Sequence, residues 1–127
     1  MHRPNSLGLS SYSKGLGEIA LATSNIEKLR LFYKDRIGLE LIRDFHDGDD
    51  RLTTVFFKLA EGHNGHTQVL ALFRPRTEDK VEIVKSSLHH FAINIDPSDY
   101  HFLKHNLQEQ KLLKVESYHE WVNWSFL

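Results

Sequence analysis

From Gly17 to Thr23 bulky and small positions alternate with the period of a strand. Ile19, Leu21 and Thr23 point one way, and Glu18, Ala20 and Ala22 the other. The period then changes. Residues 24–27 spell a Ser-x-x-Glu capping box, and Ile26, Leu29, Phe32, Tyr33 and Ile37 follow at helical spacing. Gly38 ends that helix, because a residue without Cβ can take the left-handed conformation that closes a C-terminus. Alternation returns over residues 39–46, 52–60 and 67–73. The Asp-rich run 47–50 and the loop 61–66 read as turns between these strands. The predicted order is strand, helix and three strands.

Residues 74–77 break the pattern, and 78–85 read as a short connecting helix or loop. A second strand-helix-strand-strand series follows: a strand over 88–95, a helix over 98–107, and strands over 111–116 and 122–127. The two series are related at residue level. Glu18-Ile-Ala-Leu-Ala-Thr and His90-Phe-Ala-Ile-Asn-Ile share one pattern at an offset of 72 residues. Each strand opens, on its small-residue face, with a side chain able to bind a metal. Residues 1–15, with Pro4, Gly8, Gly15 and several Ser, read as a loose leader before a domain that begins near residue 16.

Composition narrows the classes of function. At 127 residues the chain is one domain, long enough to bury about two thirds of its unfolded surface. With no Cys it has no disulfide, thiolate metal site or thiol nucleophile. Sixteen Lys and Arg against seventeen Asp and Glu leave no positive field for a phosphate backbone, so nucleic acid is not an expected partner. No apolar run approaches the roughly 20 residues of a membrane helix, and the polar N-terminus does not read as a secretory signal. The expected setting is cytoplasmic, with a small molecule as the partner.

Glu18 and His90 are the leading chemical pair. If the two halves fold alike and join their cups, these positions meet across one cavity, where a carboxylate and an imidazole suit Zn, Ni, Mn or Fe(II). The plain alternative is a solvated strand end and a satisfied core histidine. Phe56, Phe73, Trp121 and Trp124 can pack an aromatic ligand or simply a core, and His119 reads as part of an aromatic wall. His101 and His105 lie four apart on a predicted helix without a third ligand, so a solvated helix face explains them. His63 and His66 belong to a polar loop, and His89 alternates away from His90. Residues 44–50 lack the ligand ladder of a calcium loop.

The stretch from Gly17 to Leu41, with Glu18, Ser24-Asn25, Phe32-Tyr33 and Gly38-Leu39, resembles the opening of the vicinal oxygen chelate superfamily. That group includes glyoxalase I, extradiol dioxygenases, and bleomycin and fosfomycin resistance proteins. Leu88-His89-His90-Phe91-Ala92-Ile93 resembles the start of its second module. The resemblance spans about residues 16–127 and implies an α+β fold of two βαβββ modules around a cupped site, often as a homodimer. Module one would cover about 16–74, the connector 75–86, and module two 87–127, with its final strand missing from this sequence.

The resemblance further implies Glu18 and His90 as ligands of a divalent metal (Zn, Ni, Mn or Fe), with Glu18 as ligand or catalytic base. It places Ala71 where a fourth-strand carboxylate is expected, with Gln68 on the opposite face, and the fourth ligand in a segment that this sequence lacks. The implied function is a metal-dependent lyase, isomerase or dioxygenase acting on a small oxygen-rich substrate. The alternative is a metal-free small-molecule binding protein of the bleomycin-resistance type. Ala71 favours the binder; Glu18 with His90 favours the enzyme.

Overall fold

The switch from period two to helical spacing and back is reproduced element by element in the first half of the computed structural model, which describes residues 8–75 and 88–127. The predicted connector 78–85 lies outside the described residues, as do the first seven of the leader. The rest of the leader holds a 3-10 turn, Leu9–Ser11. The chain divides into two units, Met1–His89 and His90–Leu127.

In the first unit, strand β1 (Glu18–Ala22) leads to helix α1 (Ile26–Leu31), which continues as a π-helical turn over Phe32–Ile37. Strands β2 (Glu40–His46), β3 (Leu52–Ala60) and β4 (Gln68–Phe73) follow. The sheet order is β1-β4-β3-β2. Antiparallel pairing joins β2, β3 and β4, and the helical crossover delivers β1 parallel to β4. This is the βαβββ unit that the sequence implied.

The cap of α1 differs from the expected box. Asn25 is the N-cap, its Oδ1 accepting from the Lys28 amide at 3.2 Å, while Thr23 Oγ1 accepts from the Asn25 amide at 3.1 Å. Glu27 is drawn elsewhere, because Arg74 Nη2 donates to its carboxylate at 2.7 Å and offers a full charge instead of an amide. Gly38 closes the π-helical turn at φ 86°, and its amide and that of Leu39 both donate to the Tyr33 carbonyl at 3.0 and 2.9 Å.

Pairing register aligns Ile19, Leu70, Phe57 and Leu41 in one row across the sheet, and Leu21, Leu72, Val55 and Asp44 in the next. This is the face beneath α1. Val55, Phe57, Leu70 and Leu72 are fully buried with Ile26 of the helix, and the Tyr33 ring lies 6.2 Å from that of Phe57. Burial pushes the Tyr33 phenol above its ordinary pKa. At the edge of this layer Arg30 donates to both oxygens of Asp44, at 2.9 and 2.8 Å, tying α1 to β2. Between β2 and β3, Asp47 Oδ1 accepts from the amides of Asp49 and Arg51 at 2.8 and 3.0 Å.

The second unit contains a 3-10 turn Pro97–Asp99, helix α2 (Tyr100–Glu109), and an antiparallel hairpin of β5 (Ser117–His119) and β6 (Trp124–Phe126). The helix and β6 fall where a helix and a last strand were expected, whereas β5 begins just after the expected strand 111–116. Residues 88–95 and 111–116, expected to be strands, do not form strands. Alternation makes a segment compatible with a ladder, but a strand also needs a neighbour in register, and among the described residues the two sheets are built from β1–β4 and from β5 with β6. Glu116 is instead held to α2, its carboxylate accepting from Lys104 Nζ at 2.8 Å and from the Tyr100 hydroxyl.

Two consequences can be measured. Phe57→Ala removes a ring from the centre of the closed face and is expected to cost about 3–5 kcal/mol in urea unfolding, well above the loss for Phe56→Ala on the other face. Hydrogen bonds led by that from the Arg51 amide hold Asp47 below the ordinary carboxylate range. Its contribution is therefore complete above the unfolded pKa and fades as the pH falls through the folded value. The Tm gap between the native protein and Asp47→Ala should be widest near pH 6 and narrow as the pH is taken below the ordinary carboxylate range.

Candidate functional site

Strand alternation commits every second residue of the first sheet to the face away from α1, and the register arranges these residues as three rows of four. Glu18, Val69, Lys58 and Glu40 form the first row. Ala20, Ala71, Phe56 and Arg43 form the second, and Ala22, Phe73, Thr54 and Phe45 the third. On the β1 side the rows are low, because alanine supplies only a methyl group. On the β3 and β2 side they are high and aromatic.

Three rings join into a chain across this face. Phe45 lies 5.7 Å from Phe56 and Phe56 lies 6.3 Å from Phe73, each pair close to perpendicular at 82° and 85°. Edge-to-face geometry brings the positive rim of one ring to the negative face of the next. Phe45 and Phe73 keep 39% and 38% of their surface exposed, although a buried core would be the usual place for such side chains.

Arg43 stands beside this chain with its guanidinium carbon 4.6 Å from the centre of the Phe45 ring. A β-bulge puts it there. Leu41 pairs with Phe57 and Arg43 with Phe56, so two steps along β2 match one along β3. In a regular strand Leu41, Arg43 and Phe45 would share one side. The extra residue leaves Leu41 under the helix, moves Arg43 and Phe45 to the open face, and turns Asp44 inward to meet Arg30. The sequence reading missed Arg43 and Phe45 for this reason: alternation alone groups them with Leu41, and only pairing with β3 separates them.

The other cation of the face is already engaged. Lys58 Nζ forms an ion pair with Glu61, and that hydrogen bond, with Glu40 nearby, raises the Lys58 pKa. Among the described residues no carboxylate pairs with Arg43.

The residues singled out from sequence fall into two groups. Glu18, Phe56 and Phe73 share the open face of the first sheet, Glu18 exposed at the start of β1 beside Val69. His90, His119, Trp121 and Trp124 belong to the second unit. There His119 and Trp124 are cross-strand partners on the side of the hairpin that also carries Phe126, whose ring lies 4.7 Å from His119 and 6.0 Å from Trp124. Trp121 stands 85% exposed near the hairpin's turn. His90 is exposed, in a stretch without strand structure.

Among the described residues no three or more His, Asp or Glu side chains gather into a possible metal site. Ala71 is fully buried between Ala20 and Phe56, and Gln68, three residues back, is placed by alternation on the helix side. Across the sheet, a shallow depression of about 600 Å³ is lined by Glu27, Arg30, Leu31, Asp44, His46, Asp50, Arg51 and Leu52. Its guanidinium groups are answered locally, Arg30 by Asp44 and Arg51 by Asp47. No helix among the described residues is long and apolar enough to cross a membrane.

No family profile and no curated protein matches the sequence. Solved structures share the fold. An integron cassette protein from the mobile metagenome of a Halifax Harbour sewage outfall is 23% identical, with a TM-score of 0.60 over 87% of this chain and 84% of its own. A lactoylglutathione lyase from Agrobacterium tumefaciens is 23% identical, with a TM-score of 0.51 over 86% of this chain and 78% of its own. A mutant of the fosfomycin resistance protein FosX from Listeria monocytogenes, complexed with Mn(II) and dihydroxypropylphosphonic acid, is 17% identical, with a TM-score of 0.54 over 85% and 79%. These likenesses agree, in fold, with the vicinal oxygen chelate resemblance read from the sequence.

Proposed function

We propose that this chain, which shares its fold with a lactoylglutathione lyase and a fosfomycin resistance protein, binds a small aromatic molecule on the open face of its first sheet. The edge-to-face chain of Phe45, Phe56 and Phe73, with its two outer rings exposed, carries this reading. A flat ligand laid against these rings removes apolar surface of both partners from water and gains stacking contacts at little entropic cost, because the rings already brace one another. The low alanine side of the same face leaves room for such a ligand.

A second reading, a metal-dependent lyase, isomerase or dioxygenase, is favoured by one observation: Glu18 shares the face with the aromatic chain. Its weakness is Ala71, which leaves the carboxylate without a neighbour able to bind a metal on the adjoining strand.

A neutral probe, 2-naphthamide, tests the binding reading by amide chemical-shift mapping on the full chain. Saturable shifts at residues 43–45, 54–56 and 71–73, with at least tenfold weaker binding in Phe56→Ala, are expected. Absence of saturable binding, or shifts confined to other residues, would overturn it. Metal content measured after incubation with Zn, Mn or Ni and removal of free ion should stay well below one ion per chain, whereas near-stoichiometric retention lost in Glu18→Ala would establish the second reading.

A further inference from the structure

The aromatic face is electrically lopsided. Its charged groups are Glu18 at the β1 edge, Lys58 and Glu40 in the same row, and Arg43 at the β2 edge. Lys58 is neutralised by Glu61 and has Glu40 beside it. Arg43 keeps a full guanidinium charge, lies over the Phe45 ring, and pairs with no carboxylate among the described residues. Three strand spacings of about 4.8 Å separate the Glu18 edge from the Arg43 edge, roughly 14 Å, so the carboxylate does little to offset the cation across solvent.

Accepting the aromatic-binding reading, we propose that the ligand is an aromatic carboxylate held in one orientation, its ring against Phe56 and Phe73 and its carboxylate against Arg43. Arg43 and Phe56 are register partners, so a ring lying on Phe56 brings a ring substituent within reach of the guanidinium. The planar fork of Arg matches a carboxylate through two parallel hydrogen bonds, and stacking on Phe45 restricts the fork before the ligand arrives. Glu18, at the opposite edge of the sheet, disfavours the reversed orientation. Lys58, with Glu61 and Glu40 around it, is a poor competitor for the anion. A neutral ligand of the same shape would leave Arg43 solvated and gain only the stacking.

The test compares 2-naphthoate with 2-naphthamide, equal in shape and different in charge, by calorimetry and shift mapping on the full chain at low and high salt. The carboxylate should bind at least tenfold more tightly at low salt, with the advantage shrinking as salt is raised. Arg43→Gln should bring naphthoate down to the level of the amide, with a much smaller change in amide binding, and Arg43→Lys should fall between. Retained amide-probe shifts at residues 54–56 and 71–73 and an unaltered circular dichroism spectrum show that the variants keep the face intact. Equal affinity of the two probes for the native protein, or a naphthoate preference that survives in Arg43→Gln, would overturn the charge assignment and leave aromatic binding standing. Failure of both probes to bind would overturn both.

Discussion

The interaction on which the rest of the first unit depends is the packing of α1 on one face of its sheet. Val55, Phe57, Leu70 and Leu72 are sealed there with Ile26, and Tyr33 closes over Phe57. Because strand side chains alternate, fixing these positions under the helix also fixes the opposite set. Lys58, Phe56 and Thr54 on β3, and Val69, Ala71 and Phe73 on β4, have no freedom to turn inward without withdrawing the core. The aromatic face is thus a geometric consequence of the hydrophobic one, and a register slip that exposed Phe57 would be opposed by several kcal/mol of lost burial.

One local departure from alternation decides the character of that face. The bulge after Leu41 shifts the parity of β2, and both of its outcomes are chemically sensible. Asp44 is carried to the helix side, where the paired donors of Arg30 meet it, and Phe45 is carried away to extend the ring chain. Had the parity continued, Arg43 would lie beneath α1 among Val55 and Leu72, a costly place for an unpaired charge. Asp44 would then oppose Thr54 on the open face and Arg30 would lose its partner. A half-buried ion pair of this kind adds little to global stability, of the order of 1 kcal/mol, but it is bidentate and distinguishes one register from another.

What could be read directly in the sequence follows the same division. The order of elements in the first unit, the Gly38 terminus and the two-sided character of β1 were legible because local signals and tertiary packing agree there. The cap moved by one residue, from Ser24 to Asn25, because Glu27 had a distant competitor in Arg74 that no local motif could reveal. In the second unit the alternation at 88–95 was real as a pattern, yet pairing is a property of two segments, and one segment cannot announce it. Glu18 was legible from the two-sided alternation of β1, and Phe56 and Phe73 from their aromatic character. Arg43 and Phe45 were hidden by alternation, because a bulge adds a residue without any required residue type to mark it.

The residues adjoining Glu18 bear on what the face can do. Catalysis by a strand-borne carboxylate needs a second group to hold the substrate's developing charge or to share the proton. On this face the neighbours of Glu18 are Val69 in its own row and Ala20 and Ala71 in the next. None offers a donor, an acceptor or a ligand atom from its side chain. The polar and stacking groups that can engage a ligand are displaced towards β3 and β2, where Phe56 and Arg43 are partners. The face therefore separates Glu18 from Phe56 and Arg43 by most of the width of the sheet.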